Sequence, residues 1–446
     1  MIVLKFGGTS VQDAPSQNQA LNIVFQVLDK SPVVVSSAMS GVTNDLIKLT
    51  ELASSGDSQK ASAHLKSLEE RHNQVLELQT TGANREKTKK LLDEVWEEVR
   101  SLVRGMILLR ECSPRVYDAV VGAGELLSTR LLVGRCWELG YEAELLDARQ
   151  LVVTDDHFGE AAVLWPQTQE RIIRSVHPKP GKIVITQGFI GSTEEGVATI
   201  LGRGGSDYSA SLFGAALNAE TIEIWTDVDG ILTTDPRIVP SAKTLAEISY
   251  AEAAELSYFG AKVIHPATIQ PAVEKKIPVW VKNTKNPSHP GTAILPSTLH
   301  QGPRAFAIKK NIVIISITSS RMLNAHGFMA KIFNIFREHS IAVDLVATSE
   351  VSVSISVDRK EEAEVVVEDL GRLGAVNVQT GVGILCLVGP QAWTKGQALA
   401  RVFKALGEMT IHLVSLGASE TNLSVVLNES DLAEALRRVH LEFFGV

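Results

Sequence analysis

Three short segments hold the residues best suited to chemistry. The first is Lys5-Phe6-Gly7-Gly8-Thr9-Ser10, where an apolar run ends in a lysine and two glycines. Adjacent glycines let the backbone approach a ligand closely and turn N–H groups towards phosphate oxygens, while Lys5 adds positive charge at the strand end. A purely structural Gly-Gly turn fits the same six residues. The second segment is Gly202-Arg203-Gly204-Gly205-Ser206-Asp207. Ser206 or Asp207 can cap the helix that follows. Capping needs no arginine between glycines, however, and an arginine on pliable backbone suits a two-pronged grip on carboxylate or phosphate. The third segment is TDVDGILTTDPR, residues 226–237. Its Asp227 and Asp229 are either turn formers or carboxylates that meet Mg²⁺ through water, and no residue is assigned as a direct metal ligand. Cations held in glycine-rich turns are what the transfer of a phosphoryl group calls for.

The elements around these segments follow from periodicity. Ile2 to Phe6 is a buried strand, Gln12 to Asp29 has helical apolar spacing, and Pro32 to Ser36 is a second strand. Strand, glycine turn, helix, strand is the βαβ unit of an α/β domain with a largely parallel sheet. Residues 58–111 are rich in Glu, Lys, Leu and Gln without proline and read as long amphipathic helices, a helical insertion beside the sheet. Strands are expected at Glu142 to Asp147, Lys182 to Thr186, around Glu223 to Trp225 and at Pro278 to Lys282, with helices at Tyr208 to Leu217 and Tyr250 to Phe259. The proline- and glycine-rich stretch 285–304 reads as a linker, with a boundary near Ser297.

Beyond it the pattern is smaller and repeated. Asn311 to Thr318, Ser340 to Ala347 and Val351 to Val357 are strand candidates, with helices at Gly327 to His339 and Lys360 to Leu370. A second round follows: strands at Val382 to Val388, His412 to Ser415 and Asn422 to Val426, with a helix from Thr394 to Leu406. Two consecutive units of about 70 residues are similar to tandem ACT modules of ferredoxin-like topology. The divisions read as 1–297 for the first domain, 298–379 for one module and 380–446 for the other.

Bulk properties narrow the class. A formal charge of -8 argues against a nucleic-acid footprint. Three separated cysteines, Cys112, Cys136 and Cys386, offer neither a disulfide framework nor a zinc site and fit a reducing compartment. MIVLKFGGTS lacks a signal-peptide core, and no run reaches the roughly 18 apolar residues that span a bilayer. A cytoplasmic location is expected, without membrane or nucleic-acid partners.

Taken together, KFGGTSV (5–11), SSAMSGVTN (36–44), GAGELLST (122–129), TQGFIG (186–191), GRGGSDYSA (202–210), WTDVDGILTTDPR (225–237) and FGAKVIHP (259–266) resemble the aspartate kinases of the amino-acid kinase superfamily. The resemblance covers essentially the whole chain, including the two sensing modules, and is most like the lysine-sensitive, monofunctional type. It implies an α/β amino-acid-kinase fold followed by two ferredoxin-like ACT modules. It implies transfer of the ATP γ-phosphate to the aspartate β-carboxylate, the first step of the lysine, threonine and methionine pathway, with Mg²⁺ accompanying ATP. By the resemblance, Lys5 contacts the ATP phosphates, and Gly7, Gly8 and Thr9 form the phosphate-facing turn. Ser37 and Thr43 lie near aspartate, Glu125 meets its amino group, and Arg203 clamps a carboxylate. Asp207 organises Lys5 and the metal-bound phosphates, and Thr226, Asp227, Arg237 and Lys262 surround the nucleotide. Relatives commonly carry Tyr where this chain has Leu232, which alters base or ribose recognition. An ionised carboxylate nucleophile needs no strong base, so His265 is not expected to be catalytic.

In the first module, Met322, Ala325, Gly327 and Phe328 with Val343, Asp344, Ser349 and Glu350 are similar to the effector pocket of lysine-inhibited relatives. A Gly327 turn frees helix N–H groups for a carboxylate, and Asp344 and Glu350 supply the charge a lysine side chain requires. Ordinary polar residues beside a strand are the plainer reading of the acidic pair, and core packing that of Met322 and Met329. Ala325 stands where relatives carry a hydroxyl; threonine is the second candidate effector. A homodimer through the ACT modules is expected. No fused dehydrogenase is expected after the second module. Alternatives are another amino-acid kinase or a non-catalytic amino-acid-binding regulator.

Overall fold

In the computed structural model the described residues are 1–259, 264–299, 301–323, 326–393, 396–417 and 419–445. They divide into two compact units: Met1–Ile231, Ala246–Tyr250 and Ile264–Ser297 form one, and Leu232–Leu245, Ala251–Val263 and Thr298–Val446 the other.

The first unit is built on an eight-stranded sheet. Along the chain come β1 (Ile2–Phe6), α1 (Ala14–Phe25), β2 (Pro32–Ser36), α2 (Val42–Ser54), α3 (Ser58–Gln79), α4 (Gly82–Leu109), α5 (Pro114–Val121), α6 (Ala123–Glu138), β3 (Glu142–Leu146), α7 (Trp165–Ser175) and β4 (Lys182–Gln187). A small ribbon, β5 (Ile190–Ser192) and β6 (Ala198–Ile200), precedes α8 (Gly205–Leu217) and β7 (Thr221–Thr226). Then follow β8 (Glu247–Ser249), α10 (Gln270–Glu274), β9 (Val279–Asn283) and β10 (Thr292–Leu295), while α9 (Tyr250–Tyr258), between β8 and α10 in the chain, belongs from Ala251 onwards to the second unit. The spatial order is β3-β4-β2-β1-β7-β9-β10-β8, and every pairing is parallel except that of β9 with β10.

β1 and β2 are buried at every residue, as expected of central strands covered on both faces. Expected helix Gln12 to Asp29 is trimmed to α1, because the Asp13 carboxylate accepts from Ser16 N at 2.8 Å and Pro15 sits in the first turn. Helices α3 and α4 do not merely flank the domain. Leu65, Leu68, Leu92 and the fully buried Trp96 share one core with Val42, Leu46, Leu126 and Leu127. The stretch read as a linker contains β10: Gly291, at φ +80°, closes a hairpin in which a Cβ would meet Val281 O at 2.1 Å.

The second unit is a six-stranded antiparallel sheet ordered β12-β13-β11-β14-β16-β15. Its elements are β11 (Ala305–Thr318), α11 (Phe328–Glu338), β12 (Val346–Thr348), β13 (Ser352–Val357), α12 (Lys360–Gly371), β14 (Ala375–Val388), α13 (Gly396–Leu406), β15 (Ile411–Leu416), β16 (Asn422–Asn428) and α14 (Leu432–Phe444). β11 begins at Ala305 rather than Asn311, and its first five residues pair with Ile384–Val388 of the second repeat. The repeats are therefore interleaved rather than consecutive. A bulge after Lys309, with Asn311 at φ +60°, marks where β11 passes from one repeat to the other. The strand expected from Ser340 shortens to β12, because the Leu345 N–H is taken by the Ser356 hydroxyl instead of a ladder carbonyl.

Replacing Trp96 by Ala should cost about 3–5 kcal/mol of stability through the cavity it leaves, measured as a lowered urea midpoint for the full chain.

Candidate active site

The chemistry-bearing segments converge on one cavity of about 850 Å³ in the first unit. Lys5, Gly7, Gly8, Thr9, Ser37, Thr43, Glu125, Arg203, Asp207, Thr226 and Asp227 all line it, as do Met39, Asn44 and Phe189. The parallel sheet explains the convergence: β1, β2 and β7 end on the same side, so the loops that follow them open together.

Each loop is held by short contacts. Gly7 N donates to Trp225 O at 3.1 Å, and Ser37 N and Ser40 N donate to Phe6 O and Gly8 O, each at 3.1 Å. At Gly8 a Cβ would stand 3.0 Å from Ala38 O, so a side chain there would separate the two loops. The turn is fastened from behind by the buried Ser10 hydroxyl, 2.6 Å from Thr284 Oγ1. Gly204, at φ +75°, starts α8. Asp207 in the first turn of α8 reaches back to Lys5, with Nζ–Oδ1 at 2.7 Å and the side chains 11% and 14% exposed. Arg203 is exposed and forms no ion pair with a described carboxylate. One cation is thus held rigidly and the other is left outstretched.

Glu125, in the first turn of α6, is the carboxylate whose state is most altered. It is buried, one oxygen accepts from Ala38 N at 3.1 Å, and the other has no partner among the described residues. Burial pushes its pKa up to about 8, against the weaker pull of the Ala38 N–H and the Lys5 charge. Burial therefore favours the protonated form of Glu125.

Other expected residues go elsewhere. Asp229 accepts from Asn283 Nδ2 at 2.8 Å and Asn286 Nδ2 at 3.2 Å, which makes it a turn anchor. Arg237 belongs to the second unit and pairs with Asp235 of its own loop at 2.6 Å. Leu232, also in the second unit, bridges to Thr244. Lys262 lies outside the described residues. His265 accepts from Ala267 N and caps a short turn. Sequence reasoning missed the Ser10–Thr284 brace, and no motif around Thr284 signals it. All three cysteines are free thiols.

In the second unit Met322, Phe328 and Val343 share an apolar cluster, joined by Met329. Gly327 opens α11 at φ +79°. Ser349 and Glu350 lie in the turn between β12 and β13, where Ser349 Oγ sits 2.6 Å from Ser352 Oγ. Ala325 lies outside the described residues. Asp344 is not free: its carboxylate accepts from Lys309 Nζ at 2.9 Å and from the Tyr258 hydroxyl.

A divalent metal fits the cavity only as a companion of phosphates. Among the described residues no group of three potential ligands exists. Asp207 and Asp227 on the cavity wall suit an ion that keeps its waters and takes its remaining ligands from a nucleotide. No described helix is long and apolar enough to cross a membrane.

Comparison with known proteins agrees with this architecture. Residues 1–283 match the amino acid kinase family, the class that the sheet and its glycine-lined cavity define, and residues 315–370 and 385–443 match the ACT domain. The lysine-sensitive aspartokinase 3 of Escherichia coli strain K12 is 36% identical over 457 residues, spanning 100% of this chain and 99% of its own. The crystal structure of E. coli aspartokinase III in complex with aspartate and ADP covers 100% of both chains with a TM-score of 0.85 at 36% identity. The complex of that enzyme with lysine and aspartate matches with a TM-score of 0.81 at 36% identity, covering 100% of this chain and 99% of that one. The chain belongs to the aspartokinases, one branch of the amino acid kinase family.

The Glu125 carboxyl gives a signed expectation. Between about pH 4.5 and 8 the folded protein retains a proton that the unfolded chain has released, so this group lowers stability as pH rises through that window. Glu125→Gln should flatten the fall, by at most about 4 kcal/mol at pH 8, read from unfolding midpoints at pH 6 and pH 8.5.

Proposed function

We propose that this chain moves the γ-phosphate of ATP onto the β-carboxylate of L-aspartate, releasing ADP and 4-phospho-L-aspartate. The observation that carries the reading is a single cavity containing the Lys5–Asp207 pair, the exposed Arg203, which pairs with no described carboxylate, and the buried Glu125. A carboxylate oxygen attacks the γ-phosphorus, forming the acyl phosphate bond while the bond to the β-phosphate oxygen breaks. The nucleophile is already anionic at pH 7, so the barrier lies in bringing two anions together. Lys5, fixed by Asp207, meets the charge that grows on the transferred oxygens. Arg203 receives a substrate carboxylate, and Glu125 exchanges its proton for the substrate ammonium group. Ser37 and Thr43 line the aspartate side, and the Gly7–Thr9 turn with Thr226 and Asp227 lines the nucleotide side. Lys262 is added to the nucleotide set in this reading. Mg²⁺, bound with ATP, would neutralise phosphate charge, and Asp207 is the carboxylate that would face its water shell.

The reading extends to regulation and assembly. L-lysine is the proposed inhibitor, bound by the first ACT repeat within residues 315–370, and threonine is the second candidate. Support comes from the lysine-sensitive relative and from the Met322, Phe328 and Val343 cluster beside Asp344. The chain is proposed to be cytoplasmic and to pair as a homodimer through its ACT repeats, with the kinase domain ending near Ser297.

The test is ADP release with Mg²⁺, ATP and L-aspartate. Turnover should require aspartate, vanish on chelation of Mg²⁺ and fall with millimolar L-lysine. Lys5→Ala should lower kcat by about 10²–10³-fold. Arg203→Ala should lower kcat/KM for aspartate by about 10–100-fold, the loss expected of a charged hydrogen bond. Absence of aspartate-dependent ADP release would sink the assignment.

A further inference from the structure

The acidic residue expected to receive a cationic effector is already occupied by a cation of its own chain. Lys309 Nζ lies 2.9 Å from Asp344 Oδ2, 2.5 Å from Asp358 Oδ1 and 4.6 Å from the Tyr258 ring centre. The second Asp344 oxygen accepts from the Tyr258 hydroxyl. The Asp344 side chain is only 2% exposed, whereas that of Asp358 is 49% exposed. Lys309 reaches this position because it ends the regular part of β11, immediately before the bulge where the strand changes repeats. Asp344 itself is fixed by its N–H, which donates to Ser356 O at 3.1 Å.

We infer that Lys309 is a built-in competitor of the effector, shared between Asp344 and Asp358 until the ammonium group of an amino acid takes Asp344 and leaves Lys309 to Asp358 alone. The inference rests on the reading that a cationic amino acid is the effector. Two ammonium groups on one buried carboxylate repel each other strongly where water is excluded, and the other Asp344 oxygen is taken by Tyr258. Exchange of one cation for another keeps the buried charge constant, and so avoids the penalty of an unpaired buried carboxylate. The half-exposed Asp358 gives the displaced lysine a partner in better-solvated surroundings. The same movement draws Lys309 off the face of Tyr258, the last residue of α9, and so changes what holds that helix end. Effector affinity is then a difference between two similar ion pairs, and it is set by Lys309 as much as by the residues that touch the effector.

The test is the L-lysine midpoint for inhibition of ADP release by the full chain, each variant read against its own uninhibited rate and checked for native circular dichroism. Lys309→Met should lower the midpoint at least tenfold. Asp358→Asn, which weakens the resting place, should raise it at least fivefold. An inhibited wild type with both midpoints unchanged, or moved the opposite way, overturns the exchange and leaves lysine as effector. Inhibition that appears only in Lys309→Met supports the exchange in its strongest form. No inhibition in wild type or either variant overturns both the exchange and the effector reading. If Lys309→Met does not fold, the Asp358→Asn midpoint decides alone, and a value within twofold of wild type overturns the exchange.

Discussion

The ion pair between Lys5 and Asp207 is the constraint around which the first unit is arranged. A lysine at the end of a central, fully buried strand cannot rely on water for its charge, and an uncompensated ammonium there would be costly. The fold supplies an anion from the first turn of α8, which can sit so close only because Gly204 enters the helix in a left-handed conformation. In this arrangement Lys5 is oriented before any phosphate arrives. What the phosphate brings is a second anion, and the parallel order of β2, β1 and β7 ensures that all the groups able to offset it open on one side.

The two halves of the molecule handle carboxylates in opposite ways. Burial pushes the Glu125 pKa up to about 8, and one of its oxygens has no partner among the described residues. Asp344 is nearly as inaccessible and is instead supplied with a cation and a phenol from its own chain. Both are ways of keeping a carboxylate in a low-dielectric place without leaving a bare charge.

Much of this was legible in the sequence because it is local. The strand ending in Lys5 and two glycines, the glycines bracketing Arg203 and the amphipathic runs of α3 and α4 each carry their signal within a few residues. The contacts that were not legible join distant residues. Tyr258 and Asp344 are 86 positions apart, Ser10 and Thr284 are 274 apart, and no periodicity announces either pair. Arg237 reads as a free nucleotide-binding cation because the eye groups it with the motif. Its neighbour Asp235 is near enough in sequence to claim it. Proline-rich composition hid β10, since the prolines flank its four residues without entering them.

The two long strands of the second unit carry a consequence for how such a protein can be altered. β11 and β14 each run 14 residues, and each gives one half to either repeat. Neither repeat is therefore a detachable part. Cutting the chain after the first would strip Ala305–Lys309 of its partners and leave a bare apolar edge open to aggregation. A sensing module with new specificity must accordingly be transplanted as the interleaved pair, and the chain must be synthesised as far as Val388 before the strand that begins the unit finds its neighbour.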